Sequence, residues 1–453
     1  MTISVQRLRD TFRGEVIAPG DANYDESRAV FYGAFDRHPA VIIKPADASE
    51  VARVVGSAAE TGMPLAVRSG GHSPAGYGVV DDGIVLDLSA LRSIEIDAEN
   101  RTAWAGSGLT AAEYTTAVGV YGLATGFGDT GSVGIGGLTL GGGVGYLVRK
   151  FGLTIDSLLA ADVVTADGRL LRVDGENEPD LFWAIRGGGG NFGVATRFHY
   201  SLHEVDRILG GLLILPPTQE VITGVVTLAT AAPKDLSTIA NLMLAPPEPF
   251  IPEEHHNRPV VMLLMAYSGE AGERVVAPFR TLAPPIADLV GPMRYPEMFQ
   301  FTEGGPPIKE EVATSFFLDH VSDSAAAGIV EHLEVSTAPI AVAQLRVLGG
   351  AAADVAPGAT AFAHRHRPIM SAVGVVYDDP DEAGEHSAWV TSLAQCLRSG
   401  EPGVYVGFLG DEGPTRVREA YPGPTWDRLA TIKARYDPDN LFRLNQNVPP
   451  ARG

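Results

Sequence analysis

The chain has 453 residues, 45% apolar and 20% charged, a globular composition with room for two or more domains. Its 34 Lys and Arg against 55 Asp and Glu leave a formal charge of −21, which repels nucleic acid phosphates and anionic membrane surfaces and sets both aside as partners. A single cysteine, Cys396, excludes an intrachain disulfide and a cysteine-based metal cage, and no window reaches the roughly 18 uninterrupted apolar residues of a membrane span. The opening MTISVQRLRDTFRGEV lacks the basic-then-apolar pattern of a secretory signal, so a soluble, cytoplasmic protein is expected. The Ala, Gly, Val and Arg bias fits a bacterial gene.

From about residue 40, strand and helix signals alternate. A capping box at Asp47-Ala48-Ser49-Glu50 starts a helix with Val51, Val54, Val55 and Ala58 on one face, and Gly62 ends it. Strand signals follow in PLAVRSGGHS, IVLDLS, SIEID and TAWAGSG, then a helix from Thr110 to Tyr121 ending at Gly122. After a glycine-rich stretch at 126–145 come the strands AADVVTADG and VATRFHYSL. Near residue 206 the texture changes: VITGVVTLATAAP reads as a helix, NLMLAP and PVVMLLMAY as strands. This predicts a second, α+β domain whose sheet carries helices on one face and bears on a neighbour with the other. The Pro-rich segments 246–258 and 283–308 are expected to be surface loops. SAWVTSLAQCLRSG reads as a helix with Cys396 buried.

Three glycine-rich segments carry the chemistry: RSGGHS at 68–73, TGFGDTGSVGIGGLTLGGGVGY at 125–146 and RGGGGNFGV at 186–194. Glycine permits left-handed backbone and close approach, so consecutive N–H groups can converge on a phosphate, and an acidic protein needs such neutral donors. Gly106-Ser107-Gly108-Leu109-Thr110-Ala111 matches the dinucleotide pattern G-x-G-x-x-G/A. It neither opens its domain nor has an acidic residue ending the next strand, so it reads as a structural turn. No Walker-type loop occurs. Neither Glu253-Glu254-His255-His256 nor His364-Arg365-His366-Arg367 has the i, i+4 spacing of a zinc pair. The first is read as a solvated loop, the second as strand-edge packing, and no metal is expected.

Taken in order, RSGGHS, VGIGGLTLGGGVGYL with RKFGL and Asp156 behind it, DLFWAIRGGGGNFGV and the C-terminal YDPDNLFRLNQNVPP resemble the berberine-bridge-enzyme-like flavoproteins of the vanillyl-alcohol-oxidase group, over residues 36–450. The resemblance implies an α+β fold. A two-subdomain PCMH-type domain for flavin adenine dinucleotide (FAD) would span residues 1–205, with its core at 36–205. A substrate domain with a helix-covered antiparallel sheet would span 206–424, and a segment returning to the FAD domain 425–453. It also implies that His72 bonds the flavin 8α-methyl carbon, a role suited to a neutral imidazole flanked by glycines. The alternative is a loop histidine that only hydrogen-bonds the ring. Thr130 stands where many relatives have a second, cysteine anchor, and a threonine hydroxyl is too weak a nucleophile to replace it, so attachment through His72 alone is expected. Further cofactor contacts implied are Arg68, Ser69, Gly70, Gly71, Ser73, Thr130, Val133, Gly134, Gly136, Gly137, Gly142 and Val194, with Asn445 and Asn447 from the tail.

For the reacting end, the family draws its base from the substrate-domain sheet or the strand after it. The matching strand puts Gln344, Arg346 and Leu348 on one face, which holds no carboxylate. Arg346 can lower the pKa of a phenol or hold a substrate oxyanion, with Tyr405 in GVYVGFL preferred to Tyr377 as that phenol. The activity implied is removal of a hydride from an alcohol or amine carbon of a small or medium organic molecule, with O2 reoxidising the flavin. Two alternatives stand beside it: a carbohydrate oxidase forming a lactone, and a flavin-binding scaffold without redox turnover.

Overall fold

The computed structural model describes residues 4–303 and 308–452; residues 304–307 of the expected Pro-rich loop lie outside it. The first unit is a four-stranded mixed sheet in the order Glu15–Ile17, Val41–Lys44, Ile84–Asp87, Leu65–Arg68, its last three strands parallel. The helix Ala48–Thr61 forms where the apolar stripe predicts it. Val51, Val54, Val55 and Ala58 are fully buried between this sheet and Val164 and Val194 of the next. Asp47 caps it by accepting from the N–H groups of Ser49 and Glu50, and Gly62 closes it with φ +69°. The reciprocal half of the expected capping box is absent: the buried Glu50 carboxylate accepts instead from the N–H groups of Arg13, Gly14 and Ala46.

The second unit is a five-stranded antiparallel sheet in the order Ile94–Asp97, Thr102–Gly106, Val194–Ser201, Leu158–Val164, Leu170–Asp174. The helix Ala111–Gly119 packs on it, capped by a full Thr110–Glu113 capping box.

The third unit is a large antiparallel sheet in the order Ala287–Asp288, Arg207–Leu215, Pro259–Tyr267, Leu236–Leu244, Ile340–Val347, Ile369–Tyr377, Glu310–Leu318. Helices Gln219–Ala231, Gly272–Arg280, Asp323–Glu334 and Ala383–Leu397 cover one face with a single apolar core. The other face bears on the glycine segments, as expected for an α+β protein of this group. Four side chains fasten it there. Arg149 donates to the carbonyls of Leu348 and Ala232, Arg365 grips Asp156 with two bonds of 2.6 and 2.8 Å, Lys150 pairs with Asp235, and Arg346 pairs with Asp129.

Several local expectations are corrected. The segment 283–303 is not a plain surface loop, because two short strands pair with Arg207–Leu215 and the turn Tyr295–Phe301 buries Tyr295, Met298 and Phe299. Arg365 is a buried ion-pair partner in a turn, not strand-edge packing. GVYVGFL is no strand: Val406–Phe408 is a single 3-10 turn. Cys396 is exposed. Val404, Leu409, Val417 and Tyr421 join the core shared by the five-stranded sheet and the large sheet.

The returning tail is fixed by a buried cation. Lys433, on the helix Pro424–Tyr436, donates to the carbonyls of Asn191 and Phe442 and to the Asp437 carboxylate at 2.6 Å, and both charged side chains are fully buried. Removing one partner strands the other charge in a low-dielectric interior. Asp437→Ala should therefore lose about 3–5 kcal/mol of unfolding free energy in urea titrations; an unchanged midpoint would contradict this account of the tail.

Candidate functional site

A cavity of about 650 Å³ lies where the large sheet meets the three glycine segments. Arg68 builds one wall without reaching inward as a free cation. Its guanidinium is locked at 2.6 Å to the buried Asp87 and donates to the carbonyls of Ala29 and Ser27, which fixes where the strand Leu65–Arg68 breaks into the loop. Ser69 donates to the Ser107 carbonyl and accepts from the Gly136 N–H, pinning the loop to the helix Ile135–Gly141. The two segments touch backbone to backbone: a Cβ on Gly70 would collide with Gly134 N, and one on Gly134 with Gly70 N and Ser69 Oγ. Glycine is required here by contact and not by turn geometry alone.

That contact presents His72 to the cavity. Its ring stacks on Phe31 at 4.0 Å, and burial lowers its pKa to about 4, so the imidazole is neutral at physiological pH. Ser69, Gly70, Gly71, Ser73, Thr130, Val133, Gly134, Gly136, Gly137, Val194 and Asn445 line the same cavity, together with Gly189 and Gly190 of the third glycine segment. Gly142 and Asn447 do not line it. Gly142, with φ +129°, ends the helix Ile135–Gly141 against Phe362 and Tyr405.

The walls suit a large ligand with polar edges. Among the described residues, nothing lies within 4 Å of where a Cβ of Gly137 or Gly190 would stand, and Asn445 Oδ1 is buried without a partner. A second cavity, of about 500 Å³, opens on the other side of the His72 loop. Asn191 ties the third segment to the tail. Its side chain donates to the carbonyls of Gly188 and Gln446 and accepts from the Val448 N–H, while Gln446 donates to Leu409 and Gly410. Most buried amides are hydrogen-bonded in this way, and no local sequence pattern marked Asn191 or Gln446.

On the sheet side, Gln344 and Arg346 face the cavity as the alternation predicts. Gln344 donates to Asn241 at 2.7 Å and accepts from Arg346 Nε at 2.7 Å, and Arg346 Nη2 pairs with Asp129 at 2.7 Å. The Arg346 side chain is only 5% exposed and its Nη1 has no partner among the described residues. A carboxylate therefore does reach this face, contributed by the glycine segment. A second one, Glu311, lines the cavity from the edge strand, and burial pushes it up to about 7.

The expected phenols behave differently. Tyr377 is corrected: Gln344 pairs with Ala372, so even-numbered residues of Ile369–Tyr377 share the cavity face, and Tyr377 points into the helix-covered core against His386. Tyr405 lines the cavity, but its hydroxyl already accepts from the Gly143 N–H at 3.0 Å, and burial raises its pKa to about 12. It is a phenol at neutral pH, not the Arg346-assisted phenolate expected.

Residues 39–174 match the family described as FAD binding domain, and residues 404–449 the family of berberine and berberine-like proteins. Over 97% of both chains the sequence is 30% identical to (R)-6-hydroxynicotine oxidase of Paenarthrobacter nicotinovorans. The chain belongs to the berberine-bridge-enzyme-like FAD-linked oxidoreductases. It is 29% identical over 97% of both chains to the FAD-linked oxidoreductase YgaK of Bacillus subtilis. The crystal structure of 6-hydroxy-D-nicotine oxidase from Arthrobacter nicotinovorans superposes with a TM-score of 0.86 at 27% identity, covering 97% of this chain and 99% of that one. Xylooligosaccharide oxidase from Myceliophthora thermophila shares the fold with a TM-score of 0.86 at 23% identity, covering both chains in full.

Two glycine substitutions separate folding from cofactor binding. Gly70→Ala drives a methyl into the Gly134 backbone and should lower the thermal midpoint, since the loop must shift. Gly137→Ala adds a methyl to open space in a helix and should fold at least as stably as wild type while retaining less flavin, read as the ratio of flavin to protein absorbance. Equal flavin content in Gly137→Ala and wild type would refute the placement.

Proposed function

We propose that this FAD-linked oxidoreductase is an oxidase that removes a hydride from an alcohol or amine carbon of a small or medium organic substrate, with the flavin bonded to His72 and O2 as the terminal acceptor. When bound, FAD supplies the two-electron acceptor for that hydride. The observation that carries the reading is the Arg346–Asp129 pair. A buried guanidinium whose Nη1 has no partner among the described residues, and a carboxylate held beside it, line the same cavity as His72. Arg346 Nη1 holds the substrate heteroatom, and Asp129 takes its proton as the C–H bond is lost. Gln344 and Asn241 fix the guanidinium plane, and Tyr405 holds the Gly143 turn while its ring walls the site. Thr130, adjacent to Asp129, supplies no second anchor.

The neutral His72 imidazole supports covalent attachment, because protonation would remove the lone pair that forms the bond. Wild-type protein should remain yellow after acid precipitation, and His72→Ala should release its flavin on denaturation. Free FAD in the wild-type supernatant would sink the covalent assignment. Since the depressed pKa of about 4 keeps the ring neutral above that value, attachment to apoprotein should proceed at one rate from pH 5.5 to 8, on the scale where an ordinary histidine would titrate near 6.5.

For proton transfer, Asp129→Asn should slow anaerobic flavin reduction by about 100- to 10,000-fold, the usual cost of losing a base. Tyr405→Phe should slow it less than about tenfold, since only a hydrogen bond to Gly143 is lost. Stopped-flow traces with the two effects reversed would return the role to the phenol. A reductively silent wild type that still binds flavin, across alcohols, amines and sugars, would favour the scaffold alternative.

A further inference from the structure

We infer that Glu311, with the rings of Phe31 and Tyr32, forms a cation-recognition site at the rim of the cavity, so that the substrate carries a protonated nitrogen at the end remote from the carbon that is oxidised. The inference rests on the reading of this cavity as the substrate site and deepens it to a substrate class.

The geometry begins at the edge of the large sheet. Glu311 pairs with Val376, on the parity of Ile369–Tyr377 that faces the cavity, and Ala313 beside it shares that face. The basic residue nearest in sequence is turned away, as Lys309 pairs with Asp378 at 2.8 Å. Among the described residues no cation pairs with Glu311, whereas Asp129, the cavity's other carboxylate, already holds Arg346. Partial burial in the cavity wall pushes the Glu311 carboxyl up to about 7. Tyr32 packs close enough for the carboxylate to raise its phenol further, and its ring meets Phe31 edge to face at 5.1 Å. Phe31 is 41% exposed, which opens this end to solvent.

A carboxylate and two aromatic rings lining one cavity make a composition that attracts ammonium groups, since ring quadrupole and carboxylate draw the same charge. The net charge of −21 raises the local concentration of cations at such a site. Register separates it from the reacting centre. Arg346 pairs with Met370 and Glu311 with Val376, so the two lie about 20 Å apart along the strand at ~3.3 Å per residue, before their side chains shorten the gap. Glu311 therefore recognises and does not react, and neutral sugars of equal length gain nothing from it.

The test is calorimetric binding of benzylamine and benzyl alcohol, at pH 8, to the purified flavin-loaded protein. Wild type should bind the amine about tenfold more tightly than the alcohol. Glu311→Gln should erase that ratio with flavin content and alcohol affinity unchanged. An amine preference that survives in Glu311→Gln, a wild type with no preference, or binding of neither probe at millimolar concentration would each overturn the inference. Failure of the oxidase reading looks different: it appears as absent flavin reduction while the calorimetric ratio and its loss in Glu311→Gln persist.

Discussion

The buried pair between Arg346 and Asp129 is the contact on which the site's arrangement depends. Moving two charges out of water costs several kcal/mol per ion, and their attraction offsets this only when the remaining donors are satisfied. Gln344 and, through it, Asn241 satisfy Arg346 Nε, so side chains from two strands and from the second glycine segment converge on one guanidinium. What stays unsatisfied among the described residues is Nη1, on a side chain that lines the cavity. The pair also joins the roof to the floor: Arg346 belongs to the large sheet and Asp129 to the second glycine segment, 217 residues away in sequence. A shift of either unit would expose both charges to the cost of being unpaired.

The floor is set by a different constraint, the contact of two backbones at Gly70 and Gly134. Because no side chain intervenes, the His72 loop and the start of the helix Ile135–Gly141 behave as one rigid surface, and Ser69 locks their register. The tail completes it from behind. Lys433 and Asn191 spend buried hydrogen bonds to hold residues 442–448 against the third glycine segment, which accounts for a family pattern that spans both ends of the chain.

Much of this was legible in the sequence where the signal is local. The glycine runs, the cap at Asp47, and the alternation that turns Gln344 and Arg346 to one face all depend on neighbours a few residues apart. The failures are those of long-range pairing. Alternation in Ile369–Tyr377 defines two faces but not which one is inside; only pairing of Ala372 with Gln344 sends Tyr377 to the helix side. Asp129 sat in plain view within Gly128-Asp129-Thr130, yet nothing local showed that it would meet Arg346. Glu311 was hidden at the start of a strand that follows a Pro-rich stretch read as loop. Tyr405 was expected on a strand, whereas a 3-10 turn points its hydroxyl at Gly143.

The same fold, with TM-scores of 0.86, accompanies both a nicotine-derivative oxidase and an oligosaccharide oxidase, so architecture does not select the substrate and the side chains facing the cavity must. The central claim is that Arg346 and Asp129 act as one unit. A double-mutant cycle on the anaerobic rate of flavin reduction, using Arg346→Met, Asp129→Asn and the double variant, tests it most directly. Acting as a unit, the pair predicts that the double variant is no slower than the slower single variant. Rate losses that multiply, as for independent residues, would contradict it.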